Sequence, residues 1–173
     1  MSTKTEATVD DLYRVPEHGK AELVNGELVL MPPTGGVPSR AAGRIYISLN
    51  EYEQRVGGGY AFPDNVGFIV NLPHRRSFSP DAAFYQGELR GGLFLEGAPV
   101  FAVEVRSTED YGPAAEKRMA LKRADYFAAG TLVVWDVDVL RNKVIRVYRG
   151  TEPANAIIYT RDDIANAEPA LPG

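Results

Sequence analysis

The sequence predicts an α/β (α+β) fold in which one mixed β-sheet is flanked by helices. Three observations point there. Segments of helical and strand periodicity alternate in the order helix, three strands, helix, strands, without repeats or low-complexity tracts. The strand-like runs are short and rich in Val, Phe, Ile and Tyr, whereas the two longer helical segments space their apolar residues three and four apart. Finally, 173 residues with 45% hydrophobic and 24% charged content suit a single domain with one core.

In chain order, residues 8 to 15 (TVDDLYRV) predict a short helix capped by Thr8 or Asp10. AELVNGELVLM then alternates about Asn25-Gly26, the strongest short signal for a β-hairpin. PPTGGVPS, 32 to 39, reads as loop, after which Ala41, Ile45, Leu49, Tyr52 and Val56 recur at helical spacing until Gly57-Gly58-Gly59 stops them. That predicts a helix of about four turns. Strand-like runs follow in YAFPDNVGFIVN, then PDAAFY after the basic turn PHRRSFS, then APVFAVEVRS after the glycine-rich QGELRGG. Pro113, a favoured first-turn residue, opens a second helix that runs to Ala129 and stops at Gly130. TLVVWDVDV and KVIRVYRG are strands joined by a turn at Leu140 to Asn142, and AIIYT adds another. We take residues 1–173 as a single domain with its core at about 20–150 and a poorly ordered tail from Ala165.

Composition removes several classes of chemistry. No apolar stretch approaches the roughly 20 residues of a membrane span, and MSTKTEATVD lacks the apolar centre of a secretory signal, so a soluble, cytoplasmic protein is expected. Cysteine is absent, which excludes disulfides, thiolate catalysis and cysteine zinc sites. With only His18 and His74, a histidine-rich metal site is excluded as well, so any metal must have oxygen ligands. A net charge of −4 supplies no global attraction for nucleic acid, and basic residues have to act locally.

One feature is chemically out of place. PVFAVEVRSTED, residues 99 to 110, carries Glu104 in the middle of an apolar strand. An ionised carboxylate withdrawn from water costs several kcal/mol or more unless a cation compensates it. The period of two puts Ala102, Glu104 and Arg106 on one side and Phe101, Val103 and Val105 on the other, so a small residue leaves space beside the carboxylate. Pro80-Asp81 opens the preceding strand, and consecutive strands tend to be neighbours. On the helix after Glu104, the 100° step puts Lys122 on one face with Ala115, Met119, Tyr126 and Ala129, whereas Lys117 points away with Ala124 and Ala128. A lysine on an apolar face needs an anion, and Asp81 and Glu104 are the candidates. Two carboxylates and a lysine suit Mg²⁺ or Mn²⁺ and the hydrolysis of a phosphodiester.

These residues also carry a family resemblance. TVDDLYRVPEHGKAELVNGELVLMPPTG, SPDAAFY, APVFAVEVRS, KRADYFAAG and LVVWDVD, within residues 8 to 150, resemble the Uma-two family of restriction-endonuclease-like proteins, a branch of the PD-(D/E)xK nuclease superfamily. The resemblance implies a restriction-endonuclease-like core, α-β-β-β-α-β, with an N-terminal hairpin, C-terminal strands, and a metal held between the second and third core strands. It implies Asp81 as the PD aspartate and Glu104 as the acidic residue of (D/E)xK. The lysine expected two residues after Glu104 is Arg106 here, and in the family it has moved to the next helix, which is Lys122 before Tyr126 of KxxxY. Glu22 matches a recurrent glutamate, and the position that is often histidine after the PP loop falls at Arg40 or a neighbour. Asp138 matches the aspartate closing the fourth core strand, where a turn role is the alternative.

The expected site is therefore Asp81, Glu104 and the Val105 carbonyl as metal ligands, with Lys122 orienting water or stabilising charge and Glu22 entering the site. The expected activity is hydrolysis of phosphodiester bonds in nucleic acid, DNA by analogy, by a protein able to dimerise. The rival is a nuclease-fold module without turnover, for nucleic-acid binding or dimerisation, and a third reading is a small-phosphoester hydrolase. Each residue also has a structural role open to it: Asp81 in a turn, Glu104 paired with Arg106 or Arg146, Lys122 snorkelling to solvent, Glu22 facing water, Tyr126 and Trp135 in the core. His74-Arg75-Arg76 and Arg141, Lys143, Arg146 and Arg149 are the candidate phosphate contacts.

Overall fold

A computed structural model of the chain describes residues 5–15 and 19–173, so His18 lies outside the described residues. Helix α1 (Val9–Tyr13) is started by a reciprocal pair in which the Asp11 N–H donates to Thr8 Oγ1 and the Thr8 N–H to Asp11 Oδ2. Strands β1 (Lys20–Val24) and β2 (Glu27–Met31) form the expected hairpin, with Asn25 and Gly26 both left-handed at φ 51° and 70°.

Helix α2 (Gly36–Val56) begins well before the expected start at Ala41. Gly35, Gly36 and Pro38 read as loop chemistry, yet first-turn N–H groups have no intrahelical acceptor, so a proline there loses nothing. The Ser39 N–H already donates to Gly35 at 3.0 Å.

The run YAFPDNVGFIVN breaks into two strands belonging to different sheets, β3 (Tyr60–Phe62) and β4 (Phe68–Ile69). Pro63 and left-handed Asn65 divide them. The basic turn is also corrected: it contains the whole of β5 (Ser77–Phe78), and Arg75 is buried. Then come β6 (Ala82–Tyr85), the short β7 (Leu95–Glu96), β8 (Phe101–Val105), α3 (Pro113–Ala128), β9 (Val133–Asp138), β10 (Val144–Arg149) and β11 (Glu152–Tyr159).

The main sheet has the order β11-β10-β9-β8-β6-β3. Its pairs are antiparallel except β8 and β9, which are parallel and joined by the α3 crossover. A second sheet, β5-β4-β7, packs on the α3 side. Alternation along each strand divides the core. Ala82, Phe84, Phe101, Val103, Val105, Val133 and Val137 pack toward Ala42 and Leu49 of α2, whereas Ala83, Tyr85, Ala102 and Val134 pack with Phe68, Phe78 and Tyr126.

The C-terminal segment, expected to be poorly ordered from Ala165, is instead part of the core. Ala170 and Leu171 are buried against the α2 side of the sheet, and the Trp135 indole and Arg149 guanidinium donate to the carbonyls of Asn166 and Glu168. Composition alone suggested looseness, but two apolar residues suffice to dock a short tail on an otherwise incomplete core face. Among the described residues no helix is long and apolar enough to cross a membrane.

Candidate active site

The site forms where the hairpin, β8 and α3 converge. The hairpin is laid on β5: the Leu23 N–H donates to Ser77 Oγ at 2.8 Å and the Arg76 N–H to the Leu23 carbonyl at 2.9 Å. Because side chains alternate, Lys20 and Glu22 project on the same side of β1. Glu22 is 4% exposed, not solvent-facing.

Lys122 joins the two glutamates. Its Nζ stands 2.8 Å from Glu22 Oε1 and 2.8 Å from Glu104 Oε1. The stem lies on the buried stripe of α3 with Ala115 and Tyr126, while Lys117, Ala124 and Ala128 are exposed, as helical phasing predicts. Tyr126 is fully buried, stacks on Phe78 with ring centroids 4.0 Å apart, and donates its hydroxyl to Glu104 Oε1 at 2.6 Å. Tyr126 is thus both core and site. Lysine and tyrosine meet Glu104 at one oxygen, Oε1.

Asp81 sits just beyond the β6–β8 register. Its Oδ2 accepts from the Val105 N–H at 2.7 Å, and Oδ1 meets Lys20 Nζ at 2.8 Å. Lys20 also reaches Asp64 Oδ1 at 2.6 Å. Asp81 and Val105 line a cleft of about 210 Å³ with Asp64, Thr34 and Ser39. Arg40 is exposed on α2.

Charge is distributed unevenly between the two glutamates. Burial opposes ionisation of Glu22, but Lys122 and Arg75, with the Ser79 N–H at 2.8 Å, outweigh it and hold the carboxyl below the usual range. Burial pushes the Glu104 carboxyl up; Lys122 offsets this only in part, and the Asp81 and Glu22 charges push the same way as burial. Burial disfavours the Lys122 ammonium, yet Glu104 and Glu22 together hold its pKa above the ordinary lysine value. The Tyr126 hydroxyl is held well above its ordinary value by burial and the Glu104 charge, so it acts as a donor.

Behind Glu22 the charges alternate outward. Arg75 NH1 meets Glu22 Oε2 at 2.8 Å, Arg75 Nε meets Asp125 Oδ2 at 2.8 Å, and His74 Nε2 meets Asp125 Oδ1 at 2.6 Å. Arg75 is therefore an internal counter-ion, removed from the set of candidate phosphate contacts. Arg146 NH1 stands 4.0 Å from both Asp136 and Asp138 without a hydrogen-bond partner among the described residues, and Arg149 Nε donates to the exposed Glu168 carbonyl.

Arg106, in the slot of the missing lysine, turns away from the site. It is 4% exposed, pairs with Asp136 through Nε at 2.7 Å and NH2 at 2.6 Å, and binds both oxygens of Glu116. Asp138 takes its turn role, accepting from the Arg141 and Asn142 N–H groups and from the Tyr111 hydroxyl at 2.7 Å.

Sequence reasoning missed Lys20, Asp64 and Asp125. A lysine and an aspartate beside hairpin or turn residues give no signal of burial. Asp125 was legible in principle, since it lies on the same α3 stripe as Lys122 and Tyr126.

The six-stranded mixed sheet with a helix on each side and this carboxylate–lysine cluster at its mouth define a nuclease-like fold. The chain belongs to the Uma2 family, described as "Putative restriction endonuclease", whose model matches residues 9–173. A crystal structure described as "a putative nuclease belonging to DUF820", from Anabaena variabilis ATCC 29413, is similar with a TM-score of 0.72 and 18% identity, over 95% of this chain and 90% of that one. No curated relative matches.

Proposed function

We propose that the protein is an endonuclease that hydrolyses phosphodiester bonds in DNA with Mg²⁺ or Mn²⁺ as cofactor. The observation that carries the reading is the single ammonium of Lys122 held 2.8 Å from both Glu22 and Glu104, with the Asp81 charge near enough to Glu104 to push its carboxyl up. The family description supports nucleic acid as the substrate.

The residues fit a hard divalent cation. Burial first, then the Asp81 and Glu22 charges, push the Glu104 carboxyl up against the pull of Lys122, and an ammonium, that of Lys20, is already drawn against Asp81. Among the described residues no three acidic or histidine side chains form a ready-made metal cage. Mg²⁺ needs no such cage, since it commonly keeps several waters and takes one or two carboxylates. Asp81, Glu104 and the Val105 carbonyl are the residues that would hold it. When bound, such an ion lowers the pKa of its water and offsets charge on the phosphate.

The chain's own residues do the rest. Lys122 stays protonated between its two carboxylates and so serves as a donor that orients water or stabilises developing negative charge, not as a base. Glu22, fixed by Arg75 and the Ser79 N–H, holds the ammonium from behind. Tyr126 fixes Glu104 Oε1. Cutting both strands requires two sites, and β11 ends the sheet with an unpaired edge bearing exposed Ile157 and Ile158, which supports a homodimer.

The second reading, a nuclease-fold module without turnover, is favoured by the net charge of −4 and by the internal pairing of Arg75. Supercoiled plasmid and single-stranded DNA, each with Mg²⁺, Mn²⁺ or EDTA, separate the two. Metal-dependent nicking lost in Glu104→Gln and Asp81→Asn supports the enzyme. Salt-sensitive DNA binding without nicking supports the module.

A further inference from the structure

We propose that Lys20 is a tethered counter-cation that occupies Oδ1 of Asp81 and must release it, keeping Asp64, before a divalent ion can bind there. This rests on the metal-dependent reading above and adds a residue that regulates occupancy of that site.

The geometry is specific. Asp81 Oδ2 accepts from the backbone N–H of Val105 at 2.7 Å, which fixes the carboxylate. The other, Oδ1, carries the Lys20 ammonium at 2.8 Å. A cation seeking Asp81 therefore meets another cation already in place. Lys20 is not a loose surface lysine, for its side chain is only 13% exposed. Burial disfavours its charge, but Asp81 first and Glu104 next outweigh that cost and keep it protonated.

Lys20 also has somewhere to go. Asp64 Oδ1 lies 2.6 Å from the same ammonium, and the Asp64 side chain is 44% exposed. Asp64 is placed by its own loop, where Oδ1 accepts from the Asn65 N–H at 2.7 Å. The ammonium can give up Asp81 without becoming an unpaired charge. The step is the loss of one of two ion-pair partners, with no covalent bond made or broken and no proton transferred.

Two like charges cannot share one carboxylate cheaply. At a few ångströms their repulsion stays substantial even at the effective dielectric of a protein surface. Removing the Lys20 charge should therefore tighten divalent binding, while Asp64 should matter mainly through Lys20.

The test is titration of the full chain with Mn²⁺ by calorimetry and electron paramagnetic resonance, which reads binding without activity. Lys20→Met should bind Mn²⁺ at least about tenfold more tightly than wild type, the scale of one charge-assisted hydrogen bond. The gain should vanish in the Lys20→Met/Asp81→Asn double variant. Asp64→Asn should weaken binding several-fold in the wild-type background and clearly less in the Lys20→Met background, a non-additivity that simple loss of a nearby negative charge would not give. Acetylation of Lys20 by an amine-reactive ester, read by mass spectrometry, should rise when Mn²⁺ is present.

Wild type that binds Mn²⁺ while Lys20→Met binds no tighter would overturn the role of Lys20 and leave the metal site standing. Unchanged Lys20 reactivity in the metal-bound protein would do the same. Absence of Mn²⁺ binding in both proteins would overturn the metal site and this inference together. Should Lys20→Met fold poorly, wild-type Lys20 reactivity with and without Mn²⁺ carries the test alone.

Discussion

Lys122 Nζ lies 2.8 Å from Glu104 Oε1, and that ion pair explains why an apolar strand contains a carboxylate. The same ammonium reaches Glu22, which already has Arg75, so the two glutamates compete unequally for it. The shortfall of positive charge falls on Glu104.

Replacing Lys122 with methionine should abolish nicking, by at least about a hundredfold, because a preorganised charge donor is lost from the site. The variant should also lose about 3 kcal/mol or more of stability, since Glu22 is left with Arg75 alone, which Asp125 shares, and Glu104 loses the ammonium beside it. Plasmid nicking and urea unfolding measure the two effects separately.

Glu22 and Glu104 should respond to pH with opposite sign. Folding lowers the Glu22 carboxyl, so its ionised form stabilises the protein above the unfolded value of about 4.3, and that contribution is lost as pH falls through the folded value. Folding raises the Glu104 carboxyl, so its ionised form opposes folding above about pH 4.3 and has no effect well below it. Glu104→Gln should thus raise the melting temperature by a few degrees near pH 7, with the gain gone below about pH 4. Glu22→Gln should lower it near pH 7, with the loss shrinking in acid. Thermal melts from about pH 3 to 8 read both directions.

Arg75→Met should destabilise by about 3–5 kcal/mol, the usual result of stripping a buried cation from its partners, because Glu22 and Asp125 both depend on it. The salt dependence of DNA binding by the folded fraction should keep its slope, since Arg75 is buried against Glu22 and Asp125. Guanidinium melts and fluorescence anisotropy at several salt concentrations decide the point.

Restoring the (D/E)xK lysine with Arg106→Lys should not raise activity. Arginine holds Asp136 and Glu116 as a double fork that an ammonium cannot reproduce, so the substitution should cost about 1–3 kcal/mol. Nicking rates corrected for folded fraction should stay at the wild-type value.

Leu171→Ala should lower stability by about 2 kcal/mol, as expected for a buried leucine at the rim of a core. A loose tail would show no change in a chemical melt.

The Lys122 and Glu104 relationship was legible in the chain because each half is local. A two-residue alternation set the face of Glu104, and the helical step set the face of Lys122. Asn25-Gly26 specified its turn for the same reason, through backbone φ values. Lys20 on Asp81 and Arg75 between Glu22 and Asp125 were not legible. Their partners are 61, 53 and 50 positions apart along the chain, and a charged residue next to a turn looks solvated until another element covers it. The tail followed the same rule: EPALPG has the composition of a frayed end, and only the open α2 side of the sheet gave Leu171 a place to bury. Local periodicity determined the elements and the faces of their residues. Tertiary packing decided which charges lost water, and hence which cations had to stand beside which carboxylates, because desolvation depends on what surrounds a group and not on its neighbours in sequence.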